Sequence, residues 1–129
     1  MIKKTVTYKD FNGTVRTEDF YFNLTEAELT EMELGVDGGM KALLEQIIAE
    51  KDQARMVEYF KRMVLLAYGK KTIDGRGFEK SEKLRNEFAP SVPYSIIFME
   101  LARDAKAAAD FVNGIIPETA QEGNVPTNV

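Results

Sequence analysis

The densest run of potentially reactive groups in this chain is "YGKKTIDGRGFEKSEKLRNEF", residues 68–88. Asp74-Gly75-Arg76-Gly77 could turn backbone N–H groups toward an anion, and Lys70, Lys71 and Arg76 could neutralise it. The spacings of a P-loop and of a dinucleotide fingerprint are both missing, however. The segment reads better as a tight turn between Ile73 and Phe78, a miniature hairpin with both apolar flanks tucked onto a core. Asp74, Glu79 and Glu82 could hold a hard cation only if oxygen ligands fell at fixed alternate positions, as in an EF-hand loop. They do not, so these carboxylates read as solvated, locally paired charge.

The rest of the composition narrows the chemistry further. The 129 residues include no histidine and no cysteine. The commonest general base and metal ligand near neutral pH is therefore missing, and so are disulfides and thiolate metal sites. Serine–histidine and cysteine–histidine nucleophiles cannot be built from this chain alone. Carboxylates, lysine and tyrosine remain, but no catalytic constellation emerges from them, and no cofactor is expected. Hydrophobic residues at 44% and charged residues at 29% are ordinary for a globular protein. No run approaches the roughly 20 apolar residues of a membrane span. "MIKKTVTY" lacks the apolar core of a secretory signal, so a cytoplasmic setting is expected. The net charge of −4 argues against a duplex-binding protein. Residues 68–88 stand apart: six basic and four acidic side chains make them +2 within an acidic chain.

The elements that must position this segment follow from periodicity. Residues 2–22 alternate around Asn12-Gly13 and predict a β-hairpin. A two-residue loop would set Val6 opposite Asp19. A three-residue loop, Phe11-Asn12-Gly13 with Gly13 left-handed, sets Ile2 opposite Phe22 and Lys4 opposite Phe20. The second register collects Ile2, Val6, Tyr8, Phe20 and Phe22 on one face and is chosen for that reason. A lone hairpin is marginal in water, so it must dock on helices or on another subunit.

Thr25 and Glu28 have the capping-box spacing, with Leu24 and Leu29 as the hydrophobic staple, and Gly35 ends that helix. Asp37-Gly38-Gly39 is a turn. A helix over 40–51 carries Met40, Leu43, Leu44, Ile47 and Ile48 on one stripe. Asp52 caps a third helix with Met56, Tyr59, Phe60, Met63, Val64 and Ala67 inward and Gly69 as its stop. Ser81 caps a short helix holding Leu84 and Phe88, which "APSVP" breaks. Pro93 opens the next helix, with Tyr94, Ile97, Phe98 and Leu101 inward. Asp104 restarts the chain, and Asn113-Gly114 ends the last helix with Gly114 left-handed. The expected fold class is α+β: residues 1–117 as a single, mostly α-helical domain, with a two-stranded hairpin at 2–22 and a helical part at 25–116 interrupted by a loop at 69–80. Residues 118–129 lack apolar periodicity and are expected to be a disordered tail. Methionines 32, 40, 56 and 63 could line an adaptable partner groove, but their stripe positions favour core packing.

The ordered pieces of 68–117 carry a resemblance. They are Tyr68-Gly69, Lys71, Asp74-Gly75-Arg76, Phe78, Lys80-Ser81, Leu84-Arg85, Phe88, Phe98-Met99-Glu100-Leu101-Ala102 and Phe111-Val112-Asn113-Gly114-Ile115-Ile116-Pro117. In these the chain resembles the tail assembly chaperones of long, non-contractile-tailed (siphovirus-type) phages and prophages of Gram-positive bacteria. The hairpin-then-helices order of the first 67 residues suits that family by architecture.

The resemblance implies a non-enzymatic factor of the bacterial host cytoplasm. It would keep the tape measure protein soluble, recruit tail-tube protein and be absent from the mature virion. Such proteins are often made in two lengths by a frameshift near the gene's end, and 118–129 would suit that junction. Residues 68–88 then read as a shaped corner between helices. Lys70, Lys71, Asp74, Arg76, Lys80 and Arg85 form its candidate partner-binding surface, with Tyr68, Gly69, Gly75, Phe78, Ser81 and Gly114 as its structural motif. Self-association in several copies, through the hairpin edge, is expected as well. The rival readings are an adaptor retained in the virion and a small nucleic-acid-binding regulator.

Overall fold

A computed structural model describes residues 1–35 and 38–117, with the side chain of Lys41 left out. The chain opens with β1 (Ile2–Lys9) and β2 (Val15–Phe22), paired antiparallel. Ile2 faces Phe22 and Lys4 faces Phe20, the three-residue-loop register that the alternation predicts. Gly13 takes a φ of 81°, and its N–H donates to the Asp10 carbonyl at 2.9 Å. The Asp10 carboxylate accepts from the N–H groups of Asn12 and Thr14, both at 2.9 Å, and from Arg16 Nε at 2.7 Å. This turn is therefore specified by its own side chains.

Six helices follow among the described residues: α1 (Glu26–Leu34), α2 (Gly39–Glu50), α3 (Gln53–Ala67), α4 (Glu82–Phe88), α5 (Val92–Arg103) and α6 (Ala105–Ile115). The Thr25–Glu28 capping box forms in both directions. Asp52, Ser81, Ser91 and Asp104 each accept a backbone N–H at the start of a helix. Gly38 offers α2 no side-chain cap, and the Glu33 carboxylate of α1 accepts the Met40 N–H at 3.1 Å instead. That contact uses the negative charge favoured at a helix N-terminus.

The sheet is larger than the expected hairpin. Between α3 and α4 lie β3 (Tyr68–Lys71) and β4 (Phe78–Glu79), and the strand order is β1-β2-β3-β4. The first half of β3 pairs with β2, Phe22 with Tyr68 and Tyr21 with Gly69. Its second half pairs with β4, Lys70 with Glu79 and Lys71 with Phe78. The miniature hairpin expected within the 69–80 loop thus joins the first one, and the sheet that docks on the helices has four strands.

One apolar cluster runs through the sheet and all six helices. At its centre Phe22, fully buried, meets Phe111 at 5.3 Å and both Tyr68 and Phe88 at 5.9 Å between ring centroids. Tyr68 and Phe88 stack at 4.0 Å. The backbone joins in: the Asn23 N–H donates to the Ala67 carbonyl at 2.8 Å, and the Leu24 N–H to the Ile115 carbonyl at 3.0 Å. The link after β2 so satisfies carbonyls left free at the ends of α3 and α6.

Three expectations are corrected here. Gly69 is not a helix stop: α3 ends at Ala67, and Gly69 lies inside β3. A Cβ there would stand 2.6 Å from the Phe78 ring and 2.7 Å from the Glu79 carbonyl oxygen, so close approach demands the glycine. Gly114 is not a left-handed cap either. It lies within α6, where a Cβ would meet Ile2 Cδ1 at 2.2 Å. Ile48 is exposed while Ile47 is buried, because Ile48 points about 100° further round α2, away from the core. Met32, Met40 and Met63 are buried in the core and Met56 packs on it, which favours packing over a methionine groove. The tail expected at 118–129 lies outside the described residues.

Candidate functional site

The second hairpin builds the corner that the sequence singles out. Thr72 and Gly77 close it, the Thr72 N–H donating to the Gly77 carbonyl at 2.9 Å. The Gly75 N–H donates to the Thr72 carbonyl at 3.0 Å, and Gly75 takes a φ of 77°, the left-handed region a side chain resists. The Asp74 carboxylate accepts from the Thr72 hydroxyl at 2.8 Å and from the Arg76 N–H at 3.0 Å. These bonds, the Arg76 N–H first, lower the Asp74 pKa below its ordinary value. Asp74 therefore shapes the turn, and it is one of the six candidate partner residues.

Four of those six, Lys70, Lys71, Asp74 and Arg76, gather exposed on this hairpin. The Lys71 ammonium lies 5.6 Å from the centroid of the Tyr21 ring on β2. Arg85 is half-buried in the last turn of α4. Lys80 departs from the expected exposed surface. Its side chain is 14% exposed, and its ammonium donates to the Asn23 carbonyl at 2.6 Å and to Glu28 Oε2 at 2.7 Å. Burial alone would raise the Glu28 pKa. The Lys80 ammonium and the Thr25 N–H outweigh it, and the net shift is downward. Lys80 thus ties the corner to the α1 capping box.

The motif residues divide in a similar way. Tyr68 is buried in the aromatic cluster, Phe78 is half-buried against Gly69, and the Ser81 hydroxyl oxygen accepts the Leu84 N–H at 3.0 Å. Ile73, expected to tuck inward beside Phe78, is fully exposed at the tip of the hairpin. The turn bonds of Thr72 and Asp74 hold it there, away from any apolar wall. Phe11 and Val15 at the tip of the first hairpin are exposed too. Because β3 runs antiparallel to β2, both tips lie at the same end of the sheet.

The sequence did not mark a hollow of about 140 Å³ where the sheet meets α4 and the start of α5. Tyr8, Glu18, Phe20, Tyr68, Glu87 and Phe88 line it, and Lys70 stands among them as the basic residue. A usable signal was the parity of the strands. Tyr8, Glu18, Phe20 and Tyr68 share the helix-facing side of the sheet, and Glu18 is the acid on that face, beside Lys4 and Arg16.

No group of three or more carboxylates positioned to hold a metal ion occurs among the described residues, and no described helix is long and apolar enough to cross a membrane. The corner offers turn geometry, exposed mixed charge and exposed apolar tips. These are the features of a protein that works by binding other proteins. The chain belongs to the phage tail assembly chaperones, whose family it matches over residues 1–125. Its work is therefore assembly, without catalysis. No curated protein and no solved structure matches it.

Proposed function

We propose that the client is the tape measure protein of a siphovirus-type phage or prophage of a Gram-positive host. The chaperone holds it in the bacterial cytoplasm while tail-tube protein assembles around it, and then leaves before the virion is complete. The observation that carries this reading is the pair of apolar hairpin tips. Phe11 is 86% exposed, Val15 61% and Ile73 104%, with Lys70, Lys71 and Arg76 beside Ile73. Apolar side chains displayed on rigid turns within mixed charge suit many weak contacts along a long helical client.

Several copies would gain avidity from small individual affinities. The longer edge strand of the sheet, β1, carries Lys3, Lys4 and Lys9, and lysines on an edge resist pairing with a second copy. Copies would thus assemble on the client through the tips rather than through the hairpin edge. Co-expression with the tape measure protein, then sizing by light scattering, tests this. A soluble complex with several chaperones per client is expected, and serines at Phe11, Val15 and Ile73 should abolish it without unfolding the chaperone. A client that stays insoluble, or a chaperone found in purified virions, would favour a retained adaptor.

A further inference from the structure

The hollow between the sheet and α4 contains an unmet hydrogen-bonding group. Tyr68 is 7% exposed, and its hydroxyl has no hydrogen-bond partner among the described residues. A hydroxyl facing such a hollow takes its bond from water or from a ligand that enters it. Two carboxylates stand around it. Glu87 makes no hydrogen bond and no ion pair among the described residues. Glu18 accepts the Tyr8 hydroxyl on one oxygen, and its other oxygen is 4.0 Å from Arg16 Nη1. Arg16 is itself bound through Nε to Asp10 at 2.7 Å, so Glu18 keeps acceptor capacity. Burial raises the Tyr68 pKa, and the charges of Glu87 and Glu18 raise it further, as expected for a hydroxyl in a negative field.

Three of the remaining walls are aromatic, Tyr8, Phe20 and Phe88, the last stacked on Tyr68 at 4.0 Å; Leu84, Ser91 and Pro93 complete the lining. Aromatic rings together with carboxylates and a hydroxyl acceptor favour a cation that can donate several hydrogen bonds. A planar guanidinium supplies five N–H donors in a fixed fork and is weakly hydrated, whereas an ammonium is a strongly hydrated point charge. The hollow of about 140 Å³ has room for a head group of that size, since a water takes ~30 Å³. Lys70 on the lining forms no ion pair with either carboxylate among the described residues, and it would compete weakly with an incoming cation.

We infer that this hollow is a receptor for an arginine side chain of the client polypeptide, seated between Glu18 and Glu87 with the Tyr68 hydroxyl as a further acceptor. Only the identity of that polypeptide rests on the tape-measure reading. The site would give each copy a fixed register on its client, while the apolar tips supply contact without register.

The test uses the full chain with carbon-13 in its tyrosine rings and N-acetyl-arginine amide as the probe. Its neutral isostere, N-acetyl-citrulline amide, is the control. The arginine compound should move the Tyr68 and Tyr8 ring signals saturably and leave Tyr59 still, and the citrulline compound should move none. Glu87→Gln should weaken binding by about fivefold, the scale of one partly exposed ion pair. Tyr68→Phe, which keeps the stacked ring, should weaken it as well, and Lys70→Ala should strengthen it. Equal response to both compounds, an unmoved Tyr68, or full affinity in Glu87→Gln would each overturn the inference. Arginine binding by a protein that fails to solubilise the tape measure would sink the client assignment and leave the receptor standing. Solubilisation of the client by the parent protein, with no arginine response, would do the reverse.

Discussion

The two hairpins solve the same problem by different means. The first has eight residues in each strand, a self-specified turn and a core face that lies on α5 and α6, where Lys4 also pairs with Glu100 at 2.7 Å. The second has two pairs in its own ladder, and its strand β3 also pairs with β2 of the first. Its turn is as well bonded as the first, with Asp74 in the place of Asp10 and Gly75 in the place of Gly13. Its body is not. What holds it is tertiary: Gly69 under the Phe78 ring, Lys80 reaching Glu28, and Tyr68 in the aromatic cluster. A long hairpin can carry its register in its own pattern, while a short one is positioned by what it leans on.

The strongest way to break this comparison is at the residue of the first hairpin that pairs with the second. Phe22→Ala removes the ring at the centre of the core and is expected to cost about 4 kcal/mol. Phe78→Ala, half-buried, should cost about 1–2 kcal/mol by the same reasoning. Denaturant melts of the two variants test the ranking, and equal losses would mean the second hairpin is as deeply anchored as the first.

Gly69→Ala comes next. The added methyl meets a backbone carbonyl as well as a ring, so the strands themselves must shift, at a cost of about 2–3 kcal/mol. Gly114→Ala is the contrast. Its methyl meets only the end of the Ile2 side chain, and alanine favours a helix interior by roughly 1 kcal/mol, so the net change should be within about 1 kcal/mol. Thermal melts that rank the two the other way would refute the close-approach account of Gly69.

Lys80→Ala should cost about 1–2 kcal/mol, discounted because the Glu28 side chain is 35% exposed to water. It also changes the acid limb. The Glu28 pKa is lowered on folding, so its contribution is complete above the ordinary value of 4.5 and is lost as the pH falls through the folded value. The acid-side loss of stability should shrink in Lys80→Ala. An unchanged pH profile would mean that the ion pair contributes nothing in solution.

The smallest effects on the fold belong to Arg76→Ala and Ile73→Ser, both expected within about 0.5 kcal/mol of the parent protein. Both should weaken client capture. An Arg76→Ala protein that melts early would make that side chain structural and remove it from the candidate surface.

Those elements whose information is local were legible in the sequence. Alternation and one left-handed glycine determined the register of the first hairpin, since a one-residue slip would have turned every apolar side chain to water. The caps at Thr25, Asp52, Ser81 and Asp104 were legible because each bonds to a neighbour two or three residues along. The tertiary structure alone decided the rest. Gly69 and Gly114 look like helix stops, yet each is a point where a distant side chain, Phe78 or Ile2, packs closely against the backbone. Lys80 looks like surface charge, yet its partner lies 52 residues away. Ile73 looks like a core flank, and no wall stands opposite it. The Tyr68 hydroxyl and its two carboxylates come together only because β1, β2, β3 and α4 converge. Spacing along a chain encodes bonds between neighbours; contacts between elements depend on how the elements pack.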